Sequence, residues 1–140
     1  MSSYLQPVTY LNNISGNGFR DILIDTIGTY YECEKNDINN IKCIINNIHI
    51  SSLLIDDIQD DSKERRHNKC AHLIYGNNIT MSAAYLNIFQ LLNQQHPCNT
   101  QIINCLYECH LGQTMELYWS SNNICPTIIE YMNMIKYKTG

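Results

Sequence analysis

One run of spacing limits this chain more than any other feature. Ile38, Ile41, Ile45, Ile48, Ser52 and Ile55 recur every three or four residues, the repeat of a single helical stripe, with Asp37 as its expected N-cap. The stripe ends in Asp56, Asp57, Asp60 and Asp61, and Lys63, Arg65 and Arg66 follow closely. On consecutive turns the four carboxylates fall on about one side of the helix. Like charges at that spacing repel by roughly 0.2–0.5 kcal/mol per pair, and acids at a helix C-terminus oppose the macrodipole. A purely structural helix would avoid this arrangement. A hard divalent cation would relieve it, and Mg²⁺ typically takes one or two carboxylates together with phosphate oxygens. The downstream arginines suit such an anion, because a guanidinium fork can meet phosphate oxygens in pairs. The alternative is a solvated, polar helix end.

The remaining periodicities are helical too. Residues 4–13 are short and weakly patterned. Gly16-Asn17-Gly18 breaks the chain and opens a helix at Phe19 that runs to about Cys33 through Leu23 and Ile27. Residues 62–68 read as a charged loop, and Gly76-Asn77-Asn78 as a stop before a helix from about Ile79 to Gln95. Pro97 separates it from the next period, about Asn99 to Trp119. Ser120 to Cys125 is a loop, and Thr127-Ile128-Ile129-Glu130 has capping-box form for a last helix to about Lys138, with Gly140 in a C-terminal position. With no alternating strand pattern and no linker, the expected fold class is all-α.

A chain of 140 residues can bury one core. Its formal charge of -4 argues against a general nucleic-acid binder, so anion recognition must be local. No apolar run approaches a membrane span, and the N-terminus lacks the pattern of a secretory signal. Seven irregularly spaced cysteines then suggest reduced thiols in a cytoplasmic setting, more core fillers than ligands. Cys105, Cys109 and His110 lack the second paired cluster that a zinc site requires and read as buried helix-face groups.

The run Ser52-Leu53-Leu54-Ile55-Asp56-Asp57-Ile58-Gln59-Asp60, with Arg65-Arg66, Ala71-His72 and Tyr75-Gly76, resembles the first aspartate-rich region of trans-polyprenyl diphosphate synthases, most closely the eukaryotic geranylgeranyl diphosphate synthases. Residues 108–113, Glu116-Leu117-Tyr118-Trp119, Cys125-Pro126-Thr127, Glu130-Tyr131 and Lys138-Thr139-Gly140 resemble further family motifs in the same order. The resemblance covers about Gly16 to Gly140. It implies an isoprenoid-synthase-type helical bundle, with residues 1–140 forming a single partial domain, the first half of the usual one. It also implies that Asp56, Asp57 and Asp60 are catalytic and bind Mg²⁺, which grips an allylic diphosphate such as farnesyl diphosphate. Ionisation of that substrate and attack by isopentenyl diphosphate then lengthen the chain by one isoprene unit. By the same resemblance Arg65 contacts the allylic diphosphate, and Arg66, Arg20 and His49 contact isopentenyl diphosphate. Gln113, Lys138 and Thr139 match positions near the allylic substrate. Each has a structural alternative: Arg65 and Arg66 as a solvated loop pair, His49 as a satisfied core histidine, Gln113 as a helix-surface amide.

The departures have consequences. Asn17 stands where the family usually carries a lysine, which removes one expected contact with isopentenyl diphosphate. Lys69 and Asp61 replace a common proline and asparagine. The family's second aspartate-rich motif has no counterpart among these 140 residues, so impaired turnover by them alone is expected. The competing expectation is a non-catalytic subunit that pairs with a full-length synthase, family members being commonly dimers, and a homo- or hetero-oligomer is expected of this chain. Ser51 and Ser52, small residues just before the acids, fit either an open hydrocarbon tunnel or close helix packing.

Overall fold

The computed structural model describes residues 3–94 and 96–139. Among these described residues a 3-10 turn at Ser3–Leu5 leads into seven α-helices: α1 Gln6–Asn12, α2 Phe19–Tyr30, α3 Lys35–Gln59, α4 His72–Tyr75, α5 Asn77–Leu92, α6 Asn99–Asn122 and α7 Ile128–Thr139. The only strands among the described residues are β1 Glu64–Arg65 and β2 Asn68–Lys69. The all-α expectation holds. The helices fall into two compact units, one ending at Gln94 and the other beginning after it.

In the first unit α3 is the central element, packing on α1, α2 and α5. The core joins Val8 and Leu11 of α1, Ile50, Leu54 and Ile55 of α3, Ala71, and Ala83 and Ala84 of α5. The weakly patterned segment before Asn13 is therefore a helix, with Pro7 in its first turn, where no helical N–H is needed. The buried face of α3 runs through Ile44, Ser51, Leu54 and Ile55, about one position round from the expected stripe; Ile41 is exposed and Ile38, Ile45, Ile48 and Ser52 are only half-buried. The helix starts at Lys35, with Asp37 in its first turn rather than at its cap. Small side chains set the α3–α5 contact. Ser51 is wholly buried and accepts a 3.0 Å hydrogen bond from Asn87, which also donates to the Asn47 carbonyl at 3.1 Å. At Ser51, then, the small side chain serves helix packing.

Other boundaries shift modestly. Gly18, at φ 69°, caps α2 in a left-handed conformation that suits glycine, and α2 ends at Tyr30, earlier than expected. The expected charged loop is a tight hairpin with Glu64 opposite Lys69 and Arg65 opposite Asn68. Both of its turn residues, Arg66 and His67, have positive φ, as a two-residue turn requires. Helix α5 ends at Leu92, before the expected boundary; Gln95 lies outside the described residues, as does Gly140.

The second unit consists of α6 and α7. Gly112 is the point of closest approach: a Cβ there would lie 2.6 Å from the backbone N of Lys138. The expected capping box is formed, with Thr127 N–H donating to Glu130 Oε2 at 2.8 Å and Glu130 N–H donating to Thr127 Oγ1 at 3.3 Å. The Thr127 bonds pull the Glu130 carboxyl below its ordinary range. The cysteine expectation needs correction: only Cys70 is buried, Cys109 is intermediate, and Cys105 and the other four are exposed. The exposed positions lie on helix faces and loops that this chain's core does not use.

Candidate diphosphate site

Helix α3 delivers the acids to its own C-terminus, where Asp60 N–H donates to the Asp56 carbonyl at 2.9 Å and closes the last turn. The aspartates then diverge. Asp57 turns inward and is 1% exposed, Asp56 is half-buried, and Asp60 and Asp61 are exposed. The hairpin returns Arg65 to the pair: its Nε donates to Asp57 Oδ1 at 2.9 Å, its Nη2 also bonds Asp57 Oδ1, and Nη2 reaches Asp56 Oδ2 at 3.3 Å. Those carboxylates hold the Arg65 guanidinium above its ordinary pKa. Asp57 Oδ2 remains buried without a hydrogen-bond partner. Burial and the adjacent Asp57 push the Cys70 thiol up to about 11, so it stays protonated at neutral pH.

The structure does not gather Asp56, Asp57 and Asp60 around one point, and no group of three or more His, Cys, Asp or Glu among the described residues is arranged to hold a metal ion. Asp56 and Asp60, four residues apart at the end of α3, are hard-oxygen donors of the type that Mg²⁺ takes together with phosphate oxygens. Asp57 instead holds Arg65.

Beside the acids is a cleft of about 620 Å³ whose lining includes Gly16, Arg20, His49, Arg65, Arg66 and His67. Arg66 donates to the Ile14 carbonyl at 2.6 Å, and its guanidinium lies so close to Gly16 that an added Cβ would be 3.0 Å away. Arg20 Nη2 lies 2.6 Å from His49 Nε2. Burial first, then Arg20, Arg66 and Arg65, push the His49 pKa down to about 4, so the ring is neutral at pH 7 and Nε2 can accept from the guanidinium. Burial and Arg66 also lower the Arg20 pKa. Three guanidiniums and a neutral imidazole thus face one opening, an arrangement suited to a multiply charged anion. Arg20, His49, Arg65 and Arg66, chosen from sequence, are brought together.

Gln113, Lys138 and Thr139 belong to the second unit. Gln113 is half-buried on α6, Lys138 forms an ion pair with Glu116, and Thr139 is the exposed last residue of α7. Sequence reasoning missed Lys42, which lines a smaller cavity reaching Arg20, His49 and Arg66. The available signal was its place seven residues before His49, two turns along the same face of α3.

A helical chain whose longest helix ends in paired aspartates beside an arginine-lined cleft has the fold of the isoprenoid-synthase type. Residues 1–140 match the family model for polyprenyl synthetase, and the chain belongs to that family. It is 37% identical over 141 residues to the ophiobolin F synthase oblA of Emericella variicolor, covering 97% of this chain and 19% of that protein. Identity to the geranylgeranyl pyrophosphate synthase paxG of Penicillium paxilli is 40% over 139 residues, covering 96% of this chain and 38% of paxG. For the geranylgeranyl pyrophosphate synthase of Dictyostelium discoideum it is 37% over 144 residues, covering 97% and 46%. The chain therefore spans about a fifth to just under half of the length of these curated relatives.

Proposed function

We propose that these residues form the diphosphate-handling part of a geranylgeranyl diphosphate synthase-like prenyltransferase, acting in the cytoplasm on an allylic diphosphate, farnesyl diphosphate for preference, and isopentenyl diphosphate. The observation that carries the reading is that one side chain, Arg65, both bridges Asp56 and Asp57 and lines the cleft that holds Arg20, His49 and Arg66. Asp56 and Asp60 would hold Mg²⁺, which when bound stabilises charge developing on the departing diphosphate. Asp57 fixes the Arg65 fork so that its remaining N–H groups face the allylic diphosphate. Neutral His49 orients Arg20, and with Arg66 they receive isopentenyl diphosphate. Gln113, Lys138 and Thr139 are assigned to the allylic substrate by resemblance alone.

The test is to incubate the purified 140-residue polypeptide with Mg²⁺, farnesyl diphosphate and labelled isopentenyl diphosphate, measure binding and extract prenyl products. The expected result is Mg²⁺-dependent binding that is lost in Asp56→Ala with Asp60→Ala, and little turnover, because the described residues carry one acidic cluster. Binding unchanged in that double variant would overturn the assignment. A second reading, a non-catalytic subunit pairing with a full-length synthase, draws on the exposed apolar face of α7, where Ile128 is 83% and Ile129 75% exposed. Strong turnover by the polypeptide alone would exclude it.

A further inference from the structure

The cavity behind the Gly16–Gly18 loop, about 210 Å³ in volume, holds more positive charge than the residues already assigned provide. Its lining includes Arg20, His49 and Arg66, and also Lys42 from the preceding turns of α3. Asn17 lines the same space without charge, and Asp21 is the acid that accompanies them there. Lys42 and His49 are seven residues apart, so they share a face of α3 and stand about 10.5 Å apart along its axis. Lys42 lines one space with Arg20, His49 and Arg66, so an anion that fills this space meets all four side chains. In the structure the Lys42 ammonium is instead 2.7 Å from Asp25 Oδ2 on α2, a pair whose side chains are 24% and 57% exposed. Such a partly exposed pair is weak, and a multiply charged anion can compete for the lysine.

We infer that Lys42 is a further diphosphate-binding residue of this cleft, released by Asp25 when the anion enters beside Arg20 and Arg66. It supplies from α3 a cation that the Gly16–Gly18 loop does not carry. The inference rests on the diphosphate reading of the cleft.

Calorimetric titration of the polypeptide with inorganic pyrophosphate and with isopentenyl diphosphate tests it. Lys42→Met and Asp25→Asn remove the same ion pair, yet opposite effects are expected. Loss of the lysine should weaken binding about fivefold, whereas loss of the aspartate frees the lysine and should tighten it about twofold. Lys42→Arg should bind within about twofold of the parent. If Lys42→Met and Asp25→Asn weaken binding alike, Lys42 only staples α2 to α3 and the inference fails. If Lys42→Met binds like the parent while Arg66→Ala weakens binding about tenfold, the inference fails and the cleft reading stands. If Arg20→Ala and Arg66→Ala also bind like the parent, the cleft reading fails and takes the inference with it.

Discussion

Asp57 and Arg65 show why neighbouring acids in one motif do different work. Asp57 is almost wholly buried and its charge is answered by one guanidinium, so removing that partner leaves a buried carboxylate without a cation. Arg65→Met should therefore lower stability by about 3 kcal/mol or more in urea unfolding, a much larger loss than for an ordinary surface pair. A loss below about 1 kcal/mol would mean that Asp57 finds another partner. His49 carries a pH dependence of definite sign. Its folded pKa is about 4 against an ordinary 6.5, so below 6.5 the unfolded chain takes up a proton that the folded ring refuses. Stability from this group is full above pH 6.5 and declines as pH falls toward 4. Unfolding midpoints measured from pH 7 to 4.5 should fall less steeply for His49→Gln than for the parent, and parallel curves would contradict the assignment.

Two short elements have consequences beyond their size. The hairpin Glu64–Lys69 converts a charged run into a device that carries Arg65 back to α3 and aims Arg66 at the Gly16 loop. It is further held to α1 by Tyr10, whose hydroxyl donates to the Lys69 carbonyl at 2.7 Å. Spacing within residues 62–68 carries no signal for this, because a two-residue turn with positive φ normally announces itself through glycine or asparagine, and here it is Arg66-His67. The α6–α7 pair depends on Gly112. Gly112→Ala places a methyl within 2.6–3.0 Å of backbone atoms of Met134 and Lys138, which cannot yield as a side-chain tip can. The substitution should cost about 1–3 kcal/mol by overpacking, read as a lower thermal midpoint together with loss of the Lys138–Glu116 pair. The capping box before α7, by contrast, was legible from Thr127 and Glu130 alone, since a cap is settled within four residues.

For the whole molecule, the balance between covered and uncovered apolar surface is the main feature. No helix among the described residues is long and apolar enough to cross a membrane. Even so, Phe19, Ile22, Leu23 and Ile27 of α2 and Ile128, Ile129 and Met132 of α7 are each between 46% and 83% exposed. Faces of that kind favour contact with another protein surface. Sedimentation velocity of the polypeptide should show association that grows with concentration and that Ile128→Ser with Ile129→Ser reduces; a monomer at all concentrations would contradict this.

Helical class, the order of most of the helices and the acid cluster at a helix end were all determined by the sequence itself, because helical periodicity, caps and breakers act over a few residues. The candidate anion residues Arg20, His49, Arg65 and Arg66 were marked there by resemblance to a family whose model the chain matches. The face of α3 that is buried was not determined locally: Ile41 and Ile44 are equally apolar, and only packing against α1 and α5 separates them. Nor could four adjacent acids reveal that Asp57 turns inward to Arg65 while Asp60 stays exposed. That division depends on a hairpin returning a cation across eight residues, and on the low dielectric that makes an unpaired buried carboxylate costly.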